Sequence, residues 1–157
     1  IEWARLITQW ALSSFANLDG AQPYVDAAEH LFARAVADAW NADGTVGLAY
    51  TTDWSGKPVV TDRMHWTLAE SLNTSATLYA ATGEEMYANW YATFAQYVDE
   101  HVIDHKSGSW FHQLDKNNHV IGTVWPGKSD LYHAFQSTLI PFLDPAVSIA
   151  TAVKNAA

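Results

Sequence analysis

Paired segments with apolar residues every three to four positions set what this chain can fold into. In the first, Trp3, Leu6, Ile7, Trp10, Phe15 and Leu18 fall together on a helical wheel, and Asn17-Leu18-Asp19-Gly20 closes it. The second covers 22–41, with Tyr24, Ala28, Leu31, Phe32, Ala35 and Ala39 on one face and Asp43-Gly44 as its stop. A third is expected over 63–81, ended by Thr82-Gly83, and a fourth over 84–101, striped by Met86, Trp90, Phe94, Tyr97 and Val98. A fifth starts at Ser129, read as its N-cap. Pro141 and Pro145 end or kink it before a short Ala-rich tail. Each stripe must be buried against another element, so the pattern specifies an all-α fold of helical hairpins, stacked side by side or closed into a toroid.

Tight turns alternate with long connections. Thr45-Val46-Gly47-Leu48-Ala49-Tyr50 and Pro58-Val59-Val60-Thr61 flank Asp53-Trp54-Ser55-Gly56-Lys57, which reads as a β-hairpin turning at Ser55-Gly56. Between the fourth and fifth helices, Ser109-Trp110-Phe111-His112-Gln113-Leu114 and His119-Val120-Ile121-Gly122 flank Asp115-Lys116-Asn117-Asn118, a second hairpin. Connections of this length carry function or structure of their own, and in stacked helical hairpins they gather where a site can be built.

Composition narrows the function. The 157 residues make one domain with a sizeable core and carry a net charge of −9 without a basic stripe, which argues against nucleic acid as a partner. No apolar run is long enough for a membrane helix, and no secretory signal is visible. The chain has no cysteine, which excludes disulfides and thiolate metal sites and is compatible with a reducing, cytoplasmic setting. Most of the eight Trp are expected in the core, leaving some to stack on sugar faces. The chain enters its first helical pattern at Ile1-Glu2 with no capping residue ahead, so an upstream segment is expected.

Several groups of residues invite chemistry. Arg63, Trp66 and Glu70 are spaced to share one helix face, as a polyol site or as a surface ion pair beside a half-buried ring. His133 falls in the first turns of the fifth helix, where the helix dipole disfavours an imidazolium. A neutral base, or a ring bonded to a carbonyl or to Asp130, both fit. Trp110 and His112 would share one face of a strand, either lining a cleft or covering the core. His101 and His105 have a metal-like spacing but no third ligand, and His30 lies on a polar face. Trp125-Pro126-Gly127-Lys128-Ser129 lacks the earlier glycine of a phosphate loop.

The stretches Glu2-Trp3-Ala4-Arg5-Leu6, Arg63-Met64-His65-Trp66 with Ala69-Glu70, Gly108-Ser109-Trp110-Phe111-His112, and Trp125 through Ala134 occur in order across nearly the whole chain. In that order they resemble the N-acylglucosamine 2-epimerase superfamily, in its aldose–ketose isomerase branch of the mannose isomerase and sulfoquinovose isomerase kind. The resemblance implies that residues 1–157 are a single partial domain, the C-terminal half of an (α/α)6 barrel with two β-hairpin loops. It implies proton transfer between C1 and C2 of an open-chain monosaccharide through a cis-enediol, with His133 as a catalytic histidine and Glu2 and Glu70 as inward carboxylates. It further implies Arg63, Trp66, His65 and Trp54 as substrate-binding residues, and no metal or other cofactor. The family's second catalytic histidine stands three residues before the glutamate that matches Glu2, ahead of this chain. A missing N-terminal half, or self-association of exposed helix faces, is therefore an expected partner. Three alternatives stay open: a 2-epimerase of the same superfamily, a glycosidase using Glu2 and Glu70 as its carboxylate pair, and a non-catalytic carbohydrate-binding or associating fragment.

Overall fold

The helix that organises the molecule has little apolar asymmetry because it is buried on nearly every side. The computed structural model describes residues 1–15 and 18–157, with the side chain of Leu18 outside the description. Among these residues the chain forms α1 (Glu2–Ser14) and α2 (Leu18–Ala39), a hairpin of β1 (Thr51–Thr52) and β2 (Pro58–Val60), then β3 (Arg63–Met64) leading into α3 (His65–Thr82). There follow α4 (Glu85–Tyr97) with a π-helical turn Val98–Val102, the hairpin β4 (Gln113–Leu114) and β5 (Val120–Ile121), α5 (Leu131–Ser137), a 3-10 turn Ile140–Phe142, and α6 (Ile149–Ala156). Of the expected helix closure Asn17-Leu18-Asp19-Gly20, Asn17 lies outside the described residues, and Leu18, Asp19 and Gly20 do not close α1 but form the first turn of α2. None of the described helices is long and apolar enough to cross a membrane.

Helix α3 packs against α1, α4, α5 and the 3-10 turn. It buries Leu68, Leu72 and Leu78, and also Thr67, Ser71, Asn73, Thr74 and Ser75. The hydroxyls of this list are satisfied, those of Thr67, Ser71 and Ser75 on the preceding turn and that of Thr74 on the Ile1 carbonyl at 3.1 Å, whereas the Asn73 amide has no partner among the described residues. Thr67 donates to the Met64 carbonyl at 2.8 Å, Ser71 to Thr67 at 2.7 Å and Ser75 to Ser71 at 2.8 Å. Their small volume lets neighbouring helices approach closely. The helix ends as expected at Gly83, whose φ of +72° forms a left-handed cap.

The core lies between α2, α3 and α4. Phe32, Tyr87, Phe94 and Tyr97 are buried there, with Trp40 and Trp90 packed against them mostly edge to face. Three helical faces differ from expectation, that of α4 only in that Met86 is exposed and Tyr87 is buried in its place. Helix α1 buries Ala4, Arg5, Thr8, Gln9 and Ala11, while Trp3 and Trp10 are 69% and 45% exposed. Helix α2 buries Ala21, Val25, Ala28, Phe32 and Val36, and turns Tyr24 and Leu31 outward. Small residues win the inner face because α1 must lie close to α2 and α3. The outward rings find one another instead, Trp10 against Tyr24 at 5.0 Å and Phe15 on Tyr24 at 5.4 Å. Most Trp are consequently not core: only Trp40, Trp90 and Trp110 pack against the core cluster.

Both hairpins form, with shorter strands than expected. Thr51 pairs with Val60 and Thr52 with Pro58, and the Asp53 carboxylate gathers the backbone amides of Ser55 and Lys57 to close the turn. The segment before it, expected as strand from Thr45, makes only an isolated bridge between Trp40 and Leu48. The second hairpin pairs Gln113 with Ile121 and Leu114 with Val120, and gains a third strand from Arg63-Met64. Helix three therefore begins at His65, not Arg63. Helix five is capped by Asp130, whose side chain accepts from the Tyr132 amide at 2.8 Å, not by Ser129. The Ala-rich tail is helix α6, capped by Ser148.

Arg63 ties these loops together. Its Nη1 and Nη2 donate to the Asp43 carboxylate at 2.8 and 3.0 Å, and Nη2 also reaches the carbonyls of Thr45 and Lys116. The Asp43 carboxyl is held below the usual carboxylate range, chiefly by its bond to Arg63. Gly47, at φ +127°, passes so close that a Cβ there would meet Arg63 Nε at 2.5 Å. Replacing Asp43 with Ala would strand a guanidinium whose side chain is 0% exposed. The expected loss is about 3 kcal/mol, read by urea unfolding, and a loss near zero would refute this role.

Candidate active site

Three helices converge on one buried carboxylate. Glu70 sits on α3 with no exposed surface. Its Oε2 accepts from Nε of Arg5 on α1 at 2.7 Å, and its Oε1 faces Nδ1 of His133 on α5 at 3.2 Å. Arg5 is itself buried and also donates from Nη1 to Gln9 at 2.9 Å. With Nδ1 turned to a carboxylate, the proton belongs on Nδ1, and Nε2 keeps its lone pair. The His133 ring is partly exposed and lies 5.6 Å from the Trp66 ring.

Glu2, His65, Trp66, His112, Trp125, Asp130, Tyr132 and His133 line a cleft of about 480 Å³. A second hollow of similar size shares Glu2 and Trp66 with it and extends past Trp3, Leu31 and Tyr50. The cleft wall from Trp125 to Asp130 is held by Lys128, which pairs with the Asp104 carboxylate and lies 4.2 Å over the Phe111 ring. His65 forms the floor and is almost wholly buried. Its Nδ1 faces the His112 carbonyl at 3.4 Å, and Nε2 lies 3.6 Å from Oδ2 of Asp130. Burial, and secondly the His112 ring beside it, push the His65 imidazole down to about 4. Asp130 lies below the usual carboxylate range despite its desolvation, through its bond from the Tyr132 amide and the charges of His65 and His133.

The structure thus brings His133, Glu70, Glu2, Trp66 and His65 to one place. It does not bring Arg63 there. That residue belongs to β3 rather than α3, so it shares no helix face with Trp66 and Glu70, and its guanidinium is committed to Asp43. Nor does it bring Trp54, which stands fully in solvent on the first hairpin and lines a hollow that shares Arg34, Asp38 and Thr52 with the second one but no residue with the cleft. Trp110 and His112 also part company, Trp110 packing against the core and His112 stacking on Trp125 at 5.0 Å. Among the residues not singled out for the site, Arg5 was missed because the wheel put Trp3 and Trp10 inside, whereas the structure buries the face of Ala4, Thr8 and Ala11 that Arg5 shares, where a charge needs a partner. Asp130 and Tyr132 had no legible signal, because their role depends on where β3 and α5 meet. His65, His112 and Asp130 also offer one ligand atom each within 4.8 Å of one another, a grouping that no sequence spacing announced.

A profile of the N-acylglucosamine 2-epimerase (GlcNAc 2-epimerase) family matches residues 1–137. The chain is 42% identical over 155 residues to a D-mannose isomerase of Pseudomonas cannabina pv. alisalensis, covering 98% of this chain and 37% of that protein. It is 41% identical over 156 residues to a D-mannose isomerase of Thermobifida fusca, covering 99% of this chain and 38% of that protein. A crystal structure of D-mannose isomerase superposes with a TM-score of 0.77 at 28% identity, over 98% of this chain and 35% of that one. The cellobiose 2-epimerase of Spirochaeta thermophila shares the fold, with a TM-score of 0.72 at 15% identity over 89% of this chain and 37% of that one. The chain thus spans little more than a third of the length of the curated relatives it matches. The helical hairpins are those of this family's (α/α)6 barrel.

The floor of the cleft generates a pH prediction. Because the His65 imidazole is depressed in the fold from 6.5 to about 4, the unfolded chain binds the extra proton between those values. Stability is full above about pH 6.5 and falls as pH drops towards 4, by up to about 1.4 kcal/mol per unit. His65→Gln should flatten this slope in urea unfolding across that window, and an unchanged slope would show that other groups cause it.

Proposed function

This chain belongs to the N-acylglucosamine 2-epimerase family, and from that premise we propose that it carries part of the active site of an aldose–ketose isomerase acting on a mannose-type sugar. The observation that carries the proposal is the buried series Arg5, Glu70, His133, ending at the cleft. Glu70 fixes the tautomer and angle of His133, so that Nε2 is the free base. His133 removes the proton from C2 of the open-chain aldose. The electron pair forms the C1–C2 double bond of the enediol while the carbonyl oxygen takes a proton. Return of a proton to C1, with loss of the C2 hydroxyl proton, yields the ketose. Trp66 and Trp125 offer flat faces to the sugar, and Glu2 and Tyr132 offer polar atoms to its hydroxyls. A second proton-transfer group is proposed to come from outside residues 1–157, in an N-terminal half that packs on the exposed face of Trp3, Leu6 and Trp10. Its support is the share of the relatives' length that this chain spans. His65 as floor and Trp66 as wall line the cleft in this reading, whereas Arg63 supports the loops behind it.

Two other readings are separable. A 2-epimerase removes the same C2 proton with His133 and returns a proton to the opposite face of C2 from the second group. A glycosidase needs a free carboxylate pair, and Glu70 has both oxygens engaged by Arg5 and His133.

In the full-length protein, incubation with D-mannose should yield fructose. His133→Gln should lower the turnover about a hundredfold or more with the helical circular dichroism unchanged. Glucose as the sole product would favour the epimerase, and an active His133→Gln protein would refute the assignment. If the present chain alone stays monomeric and well folded at micromolar concentration in sedimentation, the outward Trp face does not drive self-association.

A further inference from the structure

We propose that His65, His112 and Asp130 form a divalent transition-metal site, of the kind zinc occupies, in the same cleft as His133. One ring nitrogen of each histidine and one carboxylate oxygen lie within 4.8 Å of one another. The pivotal atom is His65 Nε2. It is buried, it has no hydrogen-bond partner among the described residues, and it points at Asp130 Oδ2 from 3.6 Å. The His65 Nδ1 proton is directed to the His112 carbonyl, so Nε2 presents a lone pair to a carboxylate. Two acceptors face each other with no donor between them, and a cation resolves that conflict.

The surroundings match what metal-binding histidines use. A ligating imidazole characteristically donates its other nitrogen to a carbonyl or carboxylate, as His65 does. Asp130 is oriented through Oδ1, which caps α5, leaving Oδ2 free to ligate. His112 is steadied by its stack on Trp125. Around tetrahedral zinc, with bonds of about 2.0–2.1 Å, ligand atoms stand about 3.4 Å apart. The His65 to Asp130 separation is already near that value, and the remaining separations, all within 4.8 Å, close by at most about 1.4 Å on binding. Two imidazoles and one carboxylate suit zinc, cobalt or nickel rather than calcium or magnesium. The fourth position opens into the cleft.

Such an ion would occupy space that the sugar needs, so it would compete with substrate rather than assist the reaction. That consequence rests on the proposed function, while the binding itself does not. Zinc chloride titrated into the protein by calorimetry, with an added competing chelator, tests the binding directly. One saturable equivalent is expected. His112→Gln and Asp130→Asn, the latter preserving the helix cap, should each weaken it about tenfold or more. Circular dichroism checks that each variant is folded. Absence of saturable binding, or binding indifferent to both His112→Gln and Asp130→Asn, overturns the site and points to surface histidines such as His101, His105 and His119. Zinc binding as expected in a protein that converts no sugar would sustain the metal site and refute only the isomerase reading.

Discussion

The ion pair between Arg5 and Glu70 joins the fold to the chemistry. At 2.7 Å, with both side chains buried, it fastens α1 to α3, and the same carboxylate fixes His133 on α5. A buried charge without its partner is costly, so the placement of α1 and α5 is tied to one atom group on the central helix. The pair is therefore weak evidence for stability as such and strong evidence for a specified geometry. The proposed role of His133 as a base aimed into the cleft requires that geometry.

A second buried pair does the corresponding work for the loops. Arg63 holds Asp43 and the carbonyls around it, so the segment leaving α2 and the second hairpin close over the start of α3. This explains why an arginine that looks well placed for a ligand is absent from the cleft. The strand Arg63-Met64 also delivers His65 to the cleft floor, one residue into α3. The loop scaffold and the site wall are thus adjacent in sequence but distinct in function.

The first five helices, the two hairpins and the cap glycine at the end of α3 were legible because they rest on local signals: apolar period, turn residues, and a left-handed cap, whereas the Ala-rich tail was not recognised as α6. The inner faces of α1 and α2 were less legible. A wheel ranks residues by hydrophobicity, and it put Trp3 and Trp10 inside, whereas close helix packing selects Ala4, Thr8 and Ala11. The buried polar residues of α3 escaped for a related reason. Ser71 and Ser75 satisfy their hydroxyls on the preceding turn, which makes them acceptable core residues in a way that composition does not reveal.

The sequence by itself determined the class of fold, the family and the identity of His133, Glu2, Glu70, His65 and Trp66 as residues of interest. These follow from short-range spacing and from motifs read in order. Only the tertiary structure decided that Arg63 and Trp54 stand apart from that group, that Arg5 belongs with Glu70, and that His112 and Asp130 face His65. The physical reason is range. Periodicity and capping act over a few residues, while pairings such as Arg5 with Glu70 are separated by 65 residues and exist only once the helices are packed.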